Sequence, residues 1–206
     1  MDPMSTAYEA GGRTEQKQRT RAALLEAARR LITDGAVPTV EDAAAAASIS
    51  RATAYRYFPS QRALLTAAHP TIDESYSLLP ADAPADPAAR LDLAITRLHE
   101  SLLETEPQMR TMLRLSLEAS DAERRELFLR QGRAIRWLEE ALAPLRGEWT
   151  DDELRRVVLA IRSAASIEAF VWLVDVAGLE RREATELMHW TAISLFRTAL
   201  AERRER

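Results

Sequence analysis

Apolar residues recur at helical spacing along nearly the whole chain, and the alternating β-branched runs typical of strands are absent. The chain has 206 residues, of which only six are glycine, and 47% are apolar. A chain of this size and composition can fill a substantial core. The sequence therefore predicts an all-α protein whose helix ends are marked by a few proline, glycine and capping residues.

The breaks between helices predict an N-terminal domain. The first helix is expected over about Glu15 to Thr33, with Gly35 as its C-terminal cap. Thr39 and Ser50 are expected to cap two short helices, and a fourth is expected from about Gln61 until His69-Pro70 interrupts it. Residues 1–12 are polar and are expected to form a disordered arm, so that residues 13–66 form a three-helix domain.

The remaining residues, 67–206, are expected to form a C-terminal helical domain. Three prolines in residues 77–89 predict a surface connection at its start. Further helices are expected over about residues 86–105, 106–119, 122–142, 150–176 and 181–201, with Thr150 as a cap and Gly178 as a stop.

Residues 39–65 carry the most specific pattern in the chain. A cap residue begins a short helix of small residues, a three-residue turn follows, and a second short helix is rich in arginine and tyrosine. Small residues at Ala43, Ala44 and Ala47 allow two short helices to cross closely, with Ile49 and Phe58 filling the space between them. This is the pattern of a helix-turn-helix, whose second helix lies in the DNA major groove.

The residue types on the second helix suit contacts with DNA. Arg51 is near its N-terminus, where a guanidinium can bind a guanine edge, and Thr53 suits a thymine methyl or a phosphate. Tyr55, Arg56 and Tyr57 suit phosphate oxygens, and Thr39 with the amides that follow it predicts a second phosphate site. The predicted DNA-binding residues are Thr39, Ser50, Arg51, Thr53, Tyr55, Arg56, Tyr57 and Arg62.

The charge distribution is compatible with that prediction. Residues 13–69 contain nine Arg and Lys against five Asp and Glu, whereas the net charge of the whole chain is −4. A basic first third attracts phosphate locally, although ordinary scatter of surface charge gives the same asymmetry. Lys17, Arg19 and Arg21 either extend the phosphate contacts or form a solvated helix face.

Residues 19–65, and above all the run Tyr55-Arg56-Tyr57-Phe58-Pro59-Ser60, resemble the TetR family of bacterial transcriptional regulators. The resemblance implies that Thr39, Tyr55 and Tyr57 grip the DNA backbone. It also implies a homodimer through a four-helix bundle made by the last two long helices of each subunit. The sequence departs from the family pattern at three positions, with Ser48 for the usual turn glycine, Ala54 for a larger apolar residue and Gln61 for a lysine.

The C-terminal helices suggest a ligand site and a dimer surface. The candidate ligand-binding residues are Met109, Met112, Trp137, Glu168 and Trp172, because methionine and aromatic side chains suit a pocket for apolar molecules. A plain core stripe, and a salt bridge or exposed position for Glu168, explain the same residues. The candidate dimer surface consists of Val157, Ile161, Ala164, Ala165, Val171 and Trp172 on one helix and Leu187, Met188, Thr191, Leu195 and Phe196 on the other.

Several classes of protein are disfavoured. The chain has no cysteine, and its three histidines are isolated in the sequence, so we expect no metal site. No glycine-rich phosphate loop or nucleophile motif is present, so we expect neither a cofactor nor an enzyme. No apolar run approaches the roughly 20 residues that span a bilayer, and no signal core is seen at the N-terminus. We therefore expect a cytoplasmic protein that does not bind membranes.

Together these features predict a DNA-binding repressor that binds a palindromic operator as a homodimer and is released by an apolar or amphipathic small molecule. The alternative is a helical protein-interaction or scaffold protein that does not bind DNA. An enzyme with an unrecognised active site would need paired acid and base groups in a cleft, and the sequence reveals no such pair.

Overall fold

The computed structural model describes residues 3–68, 76–120 and 133–205, with side chains from Thr14 onward. Within these ranges the chain is all-α, as predicted, and contains no strand. The α-helices are α1 (Pro3–Thr33), α2 (Val40–Ala46), α3 (Arg51–Tyr57), α4 (Gln61–Ala68), α5 (Pro87–Glu104), α6 (Glu106–Glu118), α7 (Arg133–Ala141), α8 (Asp151–Ala164), α9 (Ile167–Val171) and α10 (Arg181–Arg204). A 3₁₀ turn at Ala143–Leu145 follows α7, and a π-helical turn at Trp172–Val176 follows α9.

The described residues divide into two compact units, one of α1–α4 with Arg114–Ala119 and one of the remaining residues. The predicted boundary between residues 66 and 67 falls within the last turn of α4, which ends at Ala68. The sequence prediction placed Arg114–Ala119 in the C-terminal domain, whereas the structure groups these residues with α1–α4. The structure also begins α1 at Pro3, so residues 3–12 are helical where a disordered arm was expected. Proline is compatible with the first turn of a helix, and no further proline interrupts the chain before Thr33.

The core of the first unit is built from small and branched apolar side chains on all four helices. These buried residues are Leu24, Ala27, Ala28, Ile32, Val40, Ala43, Ala44, Ala54, Phe58, Leu64, Leu65 and Ala68. Two other apolar residues of α1 lie outside this core, since Ala23 is exposed and Leu31 is half-buried. A hydrogen bond of 2.9 Å from Arg29 Nε to the Ala68 carbonyl joins α1 to the end of α4.

The turns of the first unit follow the predicted capping chemistry. Gly35 has φ +84° and ends α1 with hydrogen bonds from its own amide and that of Ala36 to carbonyls in the last turn. Thr39 caps α2 in a capping box, since its Oγ1 accepts from the Asp42 amide and its amide donates to the Asp42 carboxylate. Ser50 Oγ accepts from the Thr53 amide at 3.2 Å and caps α3.

The second unit is organised around α5, α7, α8 and α10. Its largest cluster of buried residues includes Leu91, Ile95, Leu138, Leu142, Val158, Ile161, Ala192 and Phe196. A second cluster gathers Leu102, Ile167, Phe170, Leu173, Ala184 and Met188. The periodic apolar residues that predicted these helices are thus the ones that form the core.

The proline-rich connection before α5 is more tightly attached than a surface loop. Leu78 and Leu79 are buried, which contradicts a purely surface position for residues 77–89. Ser77 Oγ donates to Glu140 Oε1 at 2.7 Å, and Arg97 Nη1 donates to the Leu78 carbonyl at 2.8 Å. The two leucines interrupt an otherwise polar segment, and this is the local signal of burial.

The prediction of a single helix over residues 150–176 is wrong, because α8 ends at Ala164 and a separate helix, α9, begins at Ile167. Ser166 caps α9, with its Oγ accepting from the Ala169 amide at 3.2 Å. The following turn is π-helical and ends at Gly178, which has φ +75°. By length and composition, the stretch Asp151–Val176 also passes as a membrane span, with a mean hydropathy of 1.8 over its most apolar window. Core helices of soluble proteins pass the same test, so it is weak support for a membrane segment.

Candidate nucleic-acid interface

Helix α3 has one face in the core of its unit and the other face exposed. Ala54 and Phe58 are buried at 0% and 3% exposure, and they fix the inward face. Arg51, Tyr55 and Arg56 are exposed, with 73% of the Arg51 side chain accessible to solvent. Three side chains that suit DNA therefore project from one short helix. Its N-terminus is held by the Ser50 cap.

Glu41 on α2 holds two of these exposed side chains. Its Oε1 atom is 2.7 Å from Arg51 Nη2 and accepts a hydrogen bond of 2.7 Å from the Tyr55 hydroxyl. The hydrogen bond from Tyr55 lowers the pKa of the Glu41 carboxyl and raises the pKa of the Tyr55 phenol. The Arg51 guanidinium also lies 5.7 Å from the centre of the Tyr55 ring. Sequence reasoning missed this contact, because Glu41 and Tyr55 are fourteen positions apart and lie on different helices.

The hydroxyl residues of the predicted interface are engaged in helix capping. Thr39 is exposed, and its Oγ1 both donates to the Asp42 carboxylate at 2.7 Å and accepts from the Asp42 amide. Ser50 Oγ donates to Thr53 Oγ1 at 2.9 Å. Thr53 and Tyr57 are half-buried, while Ser50 is exposed. If the Thr39 and Ser50 hydroxyls bind phosphate, they do so in addition to capping their helices.

Gln61 and Arg62 on α4 are in positions that differ from those expected of phosphate contacts. Gln61 Nε2 donates to the carbonyls of Val37 and Pro38 at 3.2 and 3.1 Å, so it fastens the loop between α1 and α2. Arg62 is half-buried, and its Nη1 atom has almost no contact with solvent. The geometry therefore gives Arg62 weaker support as a DNA contact than it gives Arg51 or Arg56.

The basic residues of α1 have different environments. Arg19 is exposed and pairs with Glu15 at 3.0 Å, one helical turn away. The Arg21 guanidinium lies 5.5 Å from the centre of the Phe58 ring, and Lys17 is exposed. Of the three, Lys17 retains the plainest solvated position.

Comparison with known proteins places this domain in a family. The family model described as "Bacterial regulatory proteins, tetR family" matches residues 24–68, which cover the C-terminal part of α1 and all of α2, α3 and α4. Residues 24–68 therefore match the TetR family. The suspected resemblance is thereby confirmed.

The chain is also similar to individual proteins. It is 36% identical over 105 residues to the "HTH-type transcriptional repressor LfrR" of Mycolicibacterium smegmatis (strain ATCC 700084 / mc(2)155). That match covers 50% of this chain and 52% of the repressor, so the chain spans about half the length of the curated relative it matches. A crystal structure of a TetR-family transcriptional regulator from Streptomyces coelicolor covers 88% of this chain and 98% of its own, with a TM-score of 0.39 and 16% identity.

The predicted ligand-binding residues have different environments in the second unit. Met112 and Trp137 are buried at 2% and 7% exposure, and Trp137 Nε1 donates to the Tyr76 carbonyl at 2.8 Å. Met109 packs against a core cluster of the second unit. Glu168 and Trp172 are exposed instead, with Glu168 Oε2 3.8 Å from Arg162 Nη1. The core alternative fits the burial of Met112 and Trp137, and the salt-bridge alternative fits Glu168. The ligand-binding role of these residues stays a prediction.

A groove of about 520 Å³ lies elsewhere in the second unit, between α5 and α10. Its lining includes Leu103, Trp190 and Ile193 together with His99 and His189. The two histidines, isolated in the sequence, have ring centres 6.3 Å apart. Burial and the nearby His189 lower the pKa of His99 to about 4. No group of three or more residues suited to a metal ion occurs within the described ranges.

Part of the predicted dimer surface lies inside the second unit. Met188, Phe196, Ile161, Val157 and Ala165 are buried in the chain's own core, so they are not available to a partner. The exposed apolar residues on these helices are Leu159, Trp172, Val176, Leu187, Trp190 and Leu195. Leu187 and Leu195, eight residues apart on α10, share one side of the helix and leave an exposed apolar strip.

Proposed function

We propose that this chain is a DNA-binding transcriptional repressor of the TetR family. The observation that supports this most directly is the exposure of Arg51, Tyr55 and Arg56 on α3, while Ala54 and Phe58 anchor the helix inward. A guanidinium near the N-terminus of a recognition helix suits a guanine edge, and the phenol and second guanidinium suit phosphates. The related protein's name, transcriptional repressor, agrees with this role.

We propose further that the protein acts as a homodimer on a palindromic operator. A dimer would present two copies of α3 about one DNA turn, or a multiple of it, apart. The exposed strip at Leu187 and Leu195 supports an interface between identical subunits. A single short recognition helix contacts few bases, so a dimer with two recognition helices has higher sequence specificity.

Selection of binding sites from a random DNA pool tests the proposal. The expected result is an inverted repeat, bound with an affinity that falls steeply as salt concentration rises. A helical scaffold protein would instead recover no motif and would have no salt-dependent DNA affinity. That result would reject DNA binding as the function.

Two substitutions on α3 should have different effects on the selected operator. Arg51→Ala should relax discrimination at one base position, at a cost of about 1–3 kcal/mol for the preferred base. Tyr55→Phe should weaken binding to all sequences alike, by about 1 kcal/mol, because it removes one hydrogen bond to the backbone. Affinities for the operator and for its single-base variants measure both effects.

The matched control for these substitutions is Arg155→Ala, which removes an exposed arginine from α8. It should leave both the affinity and the base preference unchanged. Equal losses in the Arg51 and Arg155 variants would indicate a general charge effect and would contradict the assigned role of Arg51.

We also propose that an apolar or amphipathic small molecule releases the repressor from DNA. The groove between α5 and α10 supports this proposal, since its volume suits a drug-sized molecule and its lining combines apolar and polar side chains. A near-complete switch requires the effector to favour the non-binding conformation by about 5 kcal/mol. Operator affinity measured with each bound compound at saturation tests this, and an affinity unchanged by every bound compound would reject it.

Trp190 offers a direct probe of effector binding in the groove. It lines the groove and is 66% exposed, so a bound compound should alter its fluorescence.

As a regulator of transcription in a bacterial cell, the protein is proposed to act in the cytoplasm.

A further inference from the structure

Glu41 is an acidic residue on the surface that the proposed function assigns to DNA. Its Oε1 atom alone receives both the Arg51 guanidinium and the Tyr55 hydroxyl, each at 2.7 Å. The three side chains form a closed cluster, because the guanidinium also lies over the Tyr55 ring. We refer to Glu41, Arg51 and Tyr55 as the acidic clamp.

On DNA that lacks the preferred guanine, Arg51 has no base to bind, and its guanidinium and the Tyr55 hydroxyl are then the donors that a DNA phosphate requires. Phosphate oxygens in protein–DNA complexes accept hydrogen bonds from arginine and tyrosine side chains. A carboxylate oxygen accepts the same charge-assisted bonds with similar geometry. In the free protein, therefore, Arg51 and Tyr55 already have an anionic partner at the place where a phosphate oxygen would be received.

The exposure of the acidic clamp makes the exchange of partners feasible. The Arg51 side chain is 73% exposed and the Glu41 side chain is 35% exposed, so DNA can approach both. Ion pairs at such exposed positions are weak, because water screens them and the side chains lose freedom in forming them. An incoming phosphate can therefore take the donors, but it must displace the carboxylate and remain close to its charge.

We propose that Glu41 is an internal competitor for DNA phosphate, which occupies the donors of Arg51 and Tyr55 until a duplex displaces it. This inference rests on the proposed DNA-binding function. Glu41 lowers the affinity for DNA of any sequence, so that stable binding depends on the additional contacts that an operator provides. The residue thereby limits the time that the repressor spends on non-operator DNA.

The opposite role for Glu41 is also physically clear. If the carboxylate remained in the complex and oriented Arg51 and Tyr55 toward DNA, its removal would weaken binding. The sign of the affinity change on removing its charge therefore decides between competitor and support.

The test is the affinity of the full chain for a labelled duplex of random sequence, measured by fluorescence anisotropy over a range of salt concentrations. Glu41→Gln keeps the size of the side chain and removes its charge. We expect the affinity to rise by roughly 3- to 10-fold at low salt, and the slope of log affinity against log salt to steepen by about 0.9, the effect of one more phosphate contact. An unchanged or weaker affinity would overturn the inference.

Glu26→Gln is the matched control, since Glu26 is an exposed acidic residue on α1 of the same unit. It changes the net charge of the protein by the same amount without touching the acidic clamp. We expect less than a 2-fold change in DNA affinity from this substitution, since exposed charges at a distance are screened by salt. Equal gains in both variants would indicate a general charge effect and would overturn the inference.

A double variant tests whether the gain passes through the clamp. In the background of Arg51→Ala with Tyr55→Phe, the donors that Glu41 occupies are gone. Adding Glu41→Gln should then give a clearly smaller gain than it does in the wild-type background. A gain of the same size in both backgrounds would contradict competition for these donors.

A measurement without DNA tests the contact itself. The Glu41 hydrogen bond raises the pKa of the Tyr55 phenol, so Glu41→Gln should lower it. Tyrosine labelled with ¹³C at Cζ reports the ionisation by NMR, and the Tyr55→Phe spectrum assigns the signal. An unchanged pKa would overturn the clamp, whereas failure of the wild-type protein to bind any duplex at low salt would instead reject the proposed function.

Discussion

At the scale of single residues, Ser48 has the most unusual backbone conformation of the first unit. Its φ of +56° lies in the left-handed region, which favours glycine. The amides of Ser48 and Ile49 donate to the carbonyls of Ala45 and Ala44, in the same arrangement by which Gly35 ends α1. Ser48 thus occupies a glycine-like position at the end of α2, as its departure from the family pattern suggested.

Replacing Ser48 by glycine should stabilise the protein. Ser48→Gly removes the strain of a side chain in the left-handed region, and the gain is reduced by the greater freedom of glycine in the unfolded chain. We expect a net increase of about 0.5–1 kcal/mol in the free energy of unfolding, measured by urea denaturation.

Ala45→Gly is the control for this prediction, because Ala45 is exposed inside α2, three residues before Ser48. There glycine has no strain to relieve and should destabilise the protein by about 0.5–1 kcal/mol. Destabilisation by both substitutions would show that Ser48 is not strained.

The sequence pattern around each helix end predicted the capping residues of the candidate interface, but it did not predict the ion pair between Glu41 and Arg51. Thr39 and Ser50 were identifiable because a cap bonds to an amide only three residues later. Glu41 was missed because it and its partners lie on different helices, and their meeting depends on how the turn at Ser48 orients α3. The predicted roles of Arg51, Tyr55 and the other DNA-binding residues stay predictions.

At the scale of elements, the periodicity of apolar residues located most helices to within a few residues. The expected helix over 86–105 corresponds to α5, and that over 106–119 corresponds to α6. The break after Ala164 was missed because Ala165 and Ser166 fit within a helix. Nothing in the local sequence indicates that Ser166 begins a new helix instead of continuing the old one.

A charged cluster joins α6 to α10 within the second unit. Glu106 is only 7% exposed, and its carboxylate accepts from Arg110 Nε and Arg181 Nε at 2.7 Å each. Arg110 also donates both terminal nitrogens to Asp175, at 2.6 and 2.8 Å. Burial acts to raise the pKa of Glu106, but the hydrogen bonds from Arg181 and Arg110 outweigh it, and the pKa is lowered.

Glu106→Gln should therefore reduce stability and alter its dependence on pH. A lowered pKa in the folded state gives stability that is present above the unfolded pKa and is lost as pH falls through the folded value. We expect a loss of about 2 kcal/mol at pH 7, and a shallower fall in stability below the unfolded pKa of about 4.5. Urea denaturation at a series of pH values measures both.

Glu186→Gln is the control for the charged cluster, because Glu186 pairs with Arg182 at an exposed position on α10. We expect it to change stability by less than about 0.5 kcal/mol. A similar loss in both variants would mean that the buried position of Glu106 contributes nothing beyond a surface ion pair.

At the scale of the whole molecule, the exposed strip on α10 predicts self-association. Leu187→Arg combined with Leu195→Arg places two charges on the strip, and both side chains are already exposed, so the fold of the subunit should be retained. We expect the wild-type chain to be a dimer and the double variant a monomer by light scattering after gel filtration. The variant should also bind operator more weakly, because only one reader would engage DNA at a time.

Leu117→Arg is the matched control for the dimer prediction. Leu117 is more exposed than either leucine of the strip, at 70%, and lies on α6. It should leave the oligomeric state unchanged. A wild-type protein that is monomeric at every concentration would contradict the proposed dimer.

The grouping of Arg114–Ala119 with α1–α4 has a practical consequence for experiments on shortened forms of this protein. These residues include Leu115 and Ala119, which are 3% and 2% exposed. A truncated polypeptide that stops after α4 would lack a distant stretch of sequence belonging to the same compact body. We therefore expect such a fragment to melt at a lower temperature than the same unit in the intact chain. Shortened forms of this protein should not replace the full chain in DNA-binding experiments.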